Sequence, residues 1–156
     1  MKQHRGFTLI ELLVTIAIIS VLASLAMPLA ELASRRNKEQ ELKLALHQLR
    51  TALDAYKQAT DEGRIAKSAA DSGYPPSLSV LVQGIPDAKD PKGGLIYLLR
   101  RLPRDPFADD QLAAADTWRL RSYASPPDNP QPGADVFDIY SKDNGTALDG
   151  SHYRDW

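Results

Sequence analysis

The sequence predicts an α+β fold, a long N-terminal helix packed on a small antiparallel sheet, and three observations predict it. Residues 7–30 are apolar almost throughout and carry a single charge, Glu11. Beyond them, Leu42, Ala45, Leu46, Leu49, Ala52, Leu53 and Tyr56 recur at three- and four-residue steps, the spacing of one helix face. Residues 117–123 and 135–141 alternate with the period of two that marks half-buried strands. The 156 residues suit one domain with a core of its own.

Taken in order, the apolar segment comes first. As a helix it reaches roughly 36 Å, enough to cross a hydrocarbon core. A soluble helix is rarely apolar on every side over such a length. Lys2 and Arg5 precede the segment and Arg35, Arg36 and Lys38 follow it, so flanking charge alone does not set its orientation. A conventional signal peptide, cut near Ser24 and Ala26, is an alternative, but such a leader has no use for a carboxylate near its start. A lone carboxylate in lipid is costly unless paired or protonated. Glu11 either snorkels to the interface or meets a cation. If the chain were cut before Phe7, the new amine would lie one helical turn from Glu11, and a stagger between neighbouring helices would bring one chain's Glu11 to the next chain's amine. Pro28 predicts a kink, the exit point of the span, or a stretch that melts.

The amphipathic stretch extends the helix to about Ala59, with Gly63 as its terminator. Lys38, Glu39, Glu41, Lys43, Gln48, Arg50, Asp54 and Lys57 are expected mostly on the other side. Residues 60–76 read as a loop, 77–82 as a short helix opened by prolines and Ser77, and 96–102 as helical or extended. Residues 102–107 (LPRDPF) cannot be regular, because each proline restricts its predecessor. The two strands are joined by a stiff proline-rich connection, SPPDNPQPG. In the last stretch Asp143, Asn144 and Gly145 form a turn signal, as do Asp149 and Gly150. Trp156 either anchors that end by packing or frays.

Composition excludes several functions. Net charge is −1, which argues against binding polyanions or nucleic acid. The absence of cysteine excludes disulfides, thiolate metal sites and a cysteine nucleophile. His4, His47 and His152 share no metal-ligand spacing, and no phosphate loop, Ser/His/Asp signature or HExxH motif is present.

The leader and its continuation, KQHRGFTLIELLVTIAIISVLASLAMP, closely resemble the N-termini of type IV prepilins and type II secretion pseudopilins. The tyrosine-proline segment from Tyr74, the LPRDPF segment and the strand FDIYS at 137–141 extend the resemblance to the major, G-type pseudopilin. The proline-rich connection departs from it. The resemblance implies a type IV pilin-like fold with a leader at 1–6, a transmembrane and filament-core helix at 7–33 and a periplasmic globular domain at 34–156. It implies cleavage after Gly6 by a prepilin peptidase, N-methylation of Phe7 and a role for Glu11 in docking onto the filament. The expected function is that of a structural subunit, not an enzyme, in a pseudopilus that drives protein export.

The partners so implied are other copies of the chain, minor pseudopilins, the peptidase, an inner-membrane secretion platform and, before assembly, lipid. A subunit of a type IV or DNA-uptake pilus is the alternative within the class, and a conventionally exported binding module or enzyme is the alternative outside it. The resemblance further implies a calcium-pinned loop after the second strand. Asp143 and Asp149 would supply carboxylates, and the backbone near Ser141 and Leu148 would supply carbonyls. The loop is shorter than the family's pattern.

Overall fold

The computed structural model describes residues 7–156, the side chain of Leu25 excepted. The chain divides into two units, Met1–Asn37 and Lys38–Trp156. Helix α1 spans Leu9–Asp61 and continues through Pro28. It stops at a Schellman motif. The Gly63 amide donates to the Thr60 carbonyl and the Arg64 amide to the Ala59 carbonyl, with Gly63 at φ 74°.

In the first unit the helix carries its apolar side chains outward: Leu9, Ile10, Leu12, Ile16, Ile19 and Leu22 are all more than half exposed. This part is long and apolar enough to cross a membrane. Its hydroxyls are satisfied within the helix. Thr15 donates to the Leu12 carbonyl, Ser20 to Ile16 and Ser24 to Val21, at 2.7–2.8 Å. Hydrocarbon, which offers no hydrogen-bond partner, requires such internal pairing.

In the second unit the predicted stripe is the core. Leu42, Ala45, Leu46, Leu49, Ala52, Leu53, Tyr56 and Ala59 are buried, and against them pack Leu78, Leu81, Trp118, Val136, Ile139 and Tyr153. The short helix is α2, Val80–Gln83, which starts three residues later than expected. Among the described residues the antiparallel pairing forms two separate two-stranded ladders. β1 (Ile85–Pro86) pairs with β2 (Leu95–Ile96), a two-residue ladder too brief for period-two alternation to reveal. β3 (Trp118–Arg121) pairs with β4 (Asp138–Ser141), Trp118 opposite Ser141 and Arg121 opposite Asp138.

Both of these strands are shorter than the alternation implied. Thr117 belongs to a 3-10 turn, Ala114–Thr117, and Val136 donates instead to the Pro75 carbonyl at 2.8 Å. That bond docks the tyrosine-proline segment, and Tyr74 meets Phe137 edge-on with centroids 5.0 Å apart. The proline-rich connection is tied down at Ser122, whose amide donates to the Gln131 carbonyl, and at Ser125, whose hydroxyl accepts from the Gln131 amide.

Candidate functional site

Two regions were singled out by the sequence. The first begins α1. The Thr8 hydroxyl accepts from the Glu11 amide at 3.3 Å, and Glu11 Oε2 accepts from both the Thr8 amide and the Thr8 hydroxyl at 2.8 Å. This is a capping box, which satisfies orphan donors of the first turn and fixes where the helix starts. Phe7, immediately before it, is 88% exposed. Gly6, the expected cleavage residue, lies outside the described residues. Glu11 thus stands at the start of an apolar helix with its charge held by one neighbour, Thr8. Thr8 was missed as a contributor, although the threonine three residues before a glutamate was a readable signal.

The second region is residues 141–156. Ser141 is buried, and its hydroxyl donates to Asp105 Oδ2 at 2.5 Å and accepts from the Asp143 amide at 3.1 Å. Asp143 Oδ1 accepts from the Gly145 amide at 2.5 Å. Asp149 Oδ1 accepts from the Ser151 amide and hydroxyl at 2.9 and 2.6 Å, and its Oδ2 lies 4.0 Å from Lys43 Nζ. The Ser151 hydroxyl and amide, with Lys43, hold the Asp149 carboxyl below its ordinary value. The Leu148 amide donates to Glu39 Oε1 at 2.9 Å.

Calcium takes six to eight oxygens. Among the described residues no three acidic or histidine side chains come together as a metal group. Asp143 and Asp149 each cap a separate turn.

Two other carboxylates organise this end of the molecule, and sequence reasoning did not single them out. Asp105, 2% exposed, accepts from the Phe107 amide and the Ser141 hydroxyl, while its own amide donates to Thr117 Oγ1. Glu39 was expected on the polar side of the helix. It is 9% exposed instead, and its Oε1 accepts from the Tyr153 hydroxyl as well as from the Leu148 amide. The available signal was its register: three and seven residues before Leu42 and Leu46, it falls on the core face.

Known proteins resemble the chain over its N-terminus and over most of its length. A family model described as the prokaryotic N-terminal methylation motif matches residues 1–27. The type II secretion system core protein G of Klebsiella pneumoniae is 36% identical over 118 residues, 70% of this chain and 74% of that protein. Its counterpart in Klebsiella michiganensis is 32% identical over 115 residues, 70% of this chain and 72% of that protein. The type IV major pilin PilA of Myxococcus xanthus is 38% identical over 74 residues, but these cover 47% of this chain and 33% of the pilin. No solved structure matches significantly. The long apolar-started helix, the small antiparallel pairing and the methylation motif agree with these relatives, and the chain belongs to the type II secretion system core protein G family, as a pilin-like structural subunit of the pseudopilus and not an enzyme.

Proposed function

We propose that the chain is cut after Gly6 by a prepilin peptidase, methylated on the new amine of Phe7, and then drawn from the inner membrane into a pseudopilus that drives protein export across the outer membrane. Before assembly, residues 7–33 span the membrane once, with the leader in the cytoplasm and residues 34–156 in the periplasm. Minor pseudopilins and an inner-membrane platform are the further partners. The protein supplies no chemistry: its helices bundle, and each added subunit advances the fibre.

One observation carries this reading, the uncovered apolar surface of α1 with a single carboxylate in its first turn. Apolar packing alone does not select a stagger between neighbouring helices, whereas one ion pair does. The Thr8 hydroxyl and amide lower the cost of holding Glu11 in the membrane layer of a solitary subunit. On assembly, the amine of a neighbouring subunit's Phe7 supplies a full opposite charge in the same layer, and the pair favours the fibre over the lone chain.

The test is the intact mass of the protein purified from its native membrane, with fragment sequencing of its N-terminus. A chain that starts at N-methylated Phe7 is expected. A chain that starts at Met27, or an uncut one, overturns the pathway. Glu11→Ala is expected to be processed normally and to assemble poorly, and a normal fibre yield would remove the pairing from the mechanism.

A further inference from the structure

We propose that residues 142–156 are fastened to α1 by Glu39, in the place where a divalent cation would otherwise close the loop, so that the globular unit folds without calcium. The resemblance implies a metal held by carbonyls near Ser141 and Leu148 and by the carboxylates of Asp143 and Asp149, and both carboxylates already have work within their own turns. Asp143 caps the Gly145 amide, and Asp149 holds Ser151. The backbone of the segment is largely closed on itself. The Ala147 amide donates to the Ser151 carbonyl at 2.7 Å, the Gly150 amide to Ala147 at 3.0 Å and the Tyr153 amide to Gly145 at 3.2 Å, while Thr146 and His152 form an antiparallel bridge.

At the Glu39 end of the contact, joining this folded segment to the helix is a task for an anion, because the groups turned toward that position are donors. Glu39 meets two of them, the Leu148 amide and the Tyr153 hydroxyl, each at 2.9 Å. A cation at that point would face an amide and a hydroxyl proton. Around Glu39 the contact is sealed by rings. Tyr153 stacks on Phe107 at 4.4 Å and meets Trp156 edge-on at 5.1 Å, with Lys43 4.2 Å above the Trp156 ring. Eleven residues further along α1, Arg50 Nη2 donates to the Trp156 carbonyl at 2.6 Å. The segment is therefore held at Leu148, Tyr153 and Trp156 by side chains of one helix.

The experiment is thermal unfolding of the full chain in detergent micelles, followed by near-ultraviolet circular dichroism of its tryptophans, in excess calcium chloride and in EGTA. The wild-type midpoint is expected to be the same in both media. Glu39→Ala is expected to lower it in both media alike, by about 5 °C or more, because two buried donors lose their acceptor. Tyr153→Phe, which removes one donor and leaves the ring, is expected to lower it by less. If Glu39→Ala does not fold, the wild-type comparison and Tyr153→Phe still decide. A wild-type midpoint that falls in EGTA overturns the proposal, as does a Glu39→Ala or Tyr153→Phe midpoint equal to that of the wild type. Because only folding is read, failure here leaves the assembly pathway untouched.

Discussion

Arg50 Nε donates to Asp138 Oδ1 at 2.8 Å and so ties the last quarter of α1 to the first residue of β4. The same guanidinium donates through Nη2 to the carbonyls of Ile139 and Trp156, at 3.2 and 2.6 Å. Both charged side chains are about a third exposed, so water screens the ion pair and the backbone bonds carry more of the effect. Arg50→Met is expected to destabilise the globular unit by about 1–2 kcal/mol in urea titration. In a double-mutant cycle with Asp138→Ala, a coupling below about 1 kcal/mol is expected, which separates the carboxylate from the two carbonyls.

Asp105 is the more sensitive position. It lies 2% exposed between two prolines and gathers the Phe107 amide and the Ser141 hydroxyl. Asp105→Ala leaves both donors buried without their acceptor, and a loss of about 2–4 kcal/mol is expected. Ser141→Ala removes one bond and should cost about 1–2 kcal/mol by the same measurement.

The core face of α1 gives a third test. Leu49 is completely buried among the side chains that join the helix to β3 and β4. Leu49→Ala is expected to cost about 2–5 kcal/mol. Leu44, on the same helix but 62% exposed, is expected to tolerate alanine with a change within about 0.5 kcal/mol. Equal effects at the two positions would contradict the orientation of the helix.

A pH test follows from Asp87. The Arg64 guanidinium, bonded at 2.6 and 3.0 Å, and then the Lys89 amide hold its carboxyl below the ordinary value. A carboxyl whose folded pKa is lowered adds stability above its unfolded pKa, near 3.9, and loses it as the pH falls through the folded value. The stability difference between wild type and Asp87→Asn is therefore expected to be full at neutral pH and to shrink as the pH drops below about 4. A difference that grows on acidification would reverse the assignment.

How much of this was legible in the sequence depended on the range of the forces involved. The spacing of Leu42, Leu49 and Leu53 marked a helix face, because burial of a helix leaves a periodic trace in one continuous segment. Gly63 marked the helix end, because the left-handed residue of the stop motif favours glycine. The β1–β2 ladder was not legible, since two residues a side leave no alternation to count.

The candidate site divided in the same way. Glu11 stood out as a single charge in an apolar run, and its partner Thr8 is only three residues away. Glu39 did not stand out, because its donors lie 109 and 114 residues further along the chain. Asp143 and Asp149 drew attention as oxygen ligands, and each accepts from the amide of the residue two positions on. Asx turns of this kind give a loop its shape, a short-range signal that the letters carry.

The separation between Glu39 and its two donors also governs when the globular unit can be completed. Contacts so distant along the chain are made late, because the entropy of closing the intervening loop must be met before they contribute. A subunit emerging from the ribosome exposes Glu39 early and meets Leu148 and Tyr153 only when nearly all of its residues have appeared. Until then the leucine face of α1 has no lid over its Glu39 end. A product truncated before Leu148 would carry an intact membrane helix joined to a domain that cannot shut, an easy substrate for quality-control proteases.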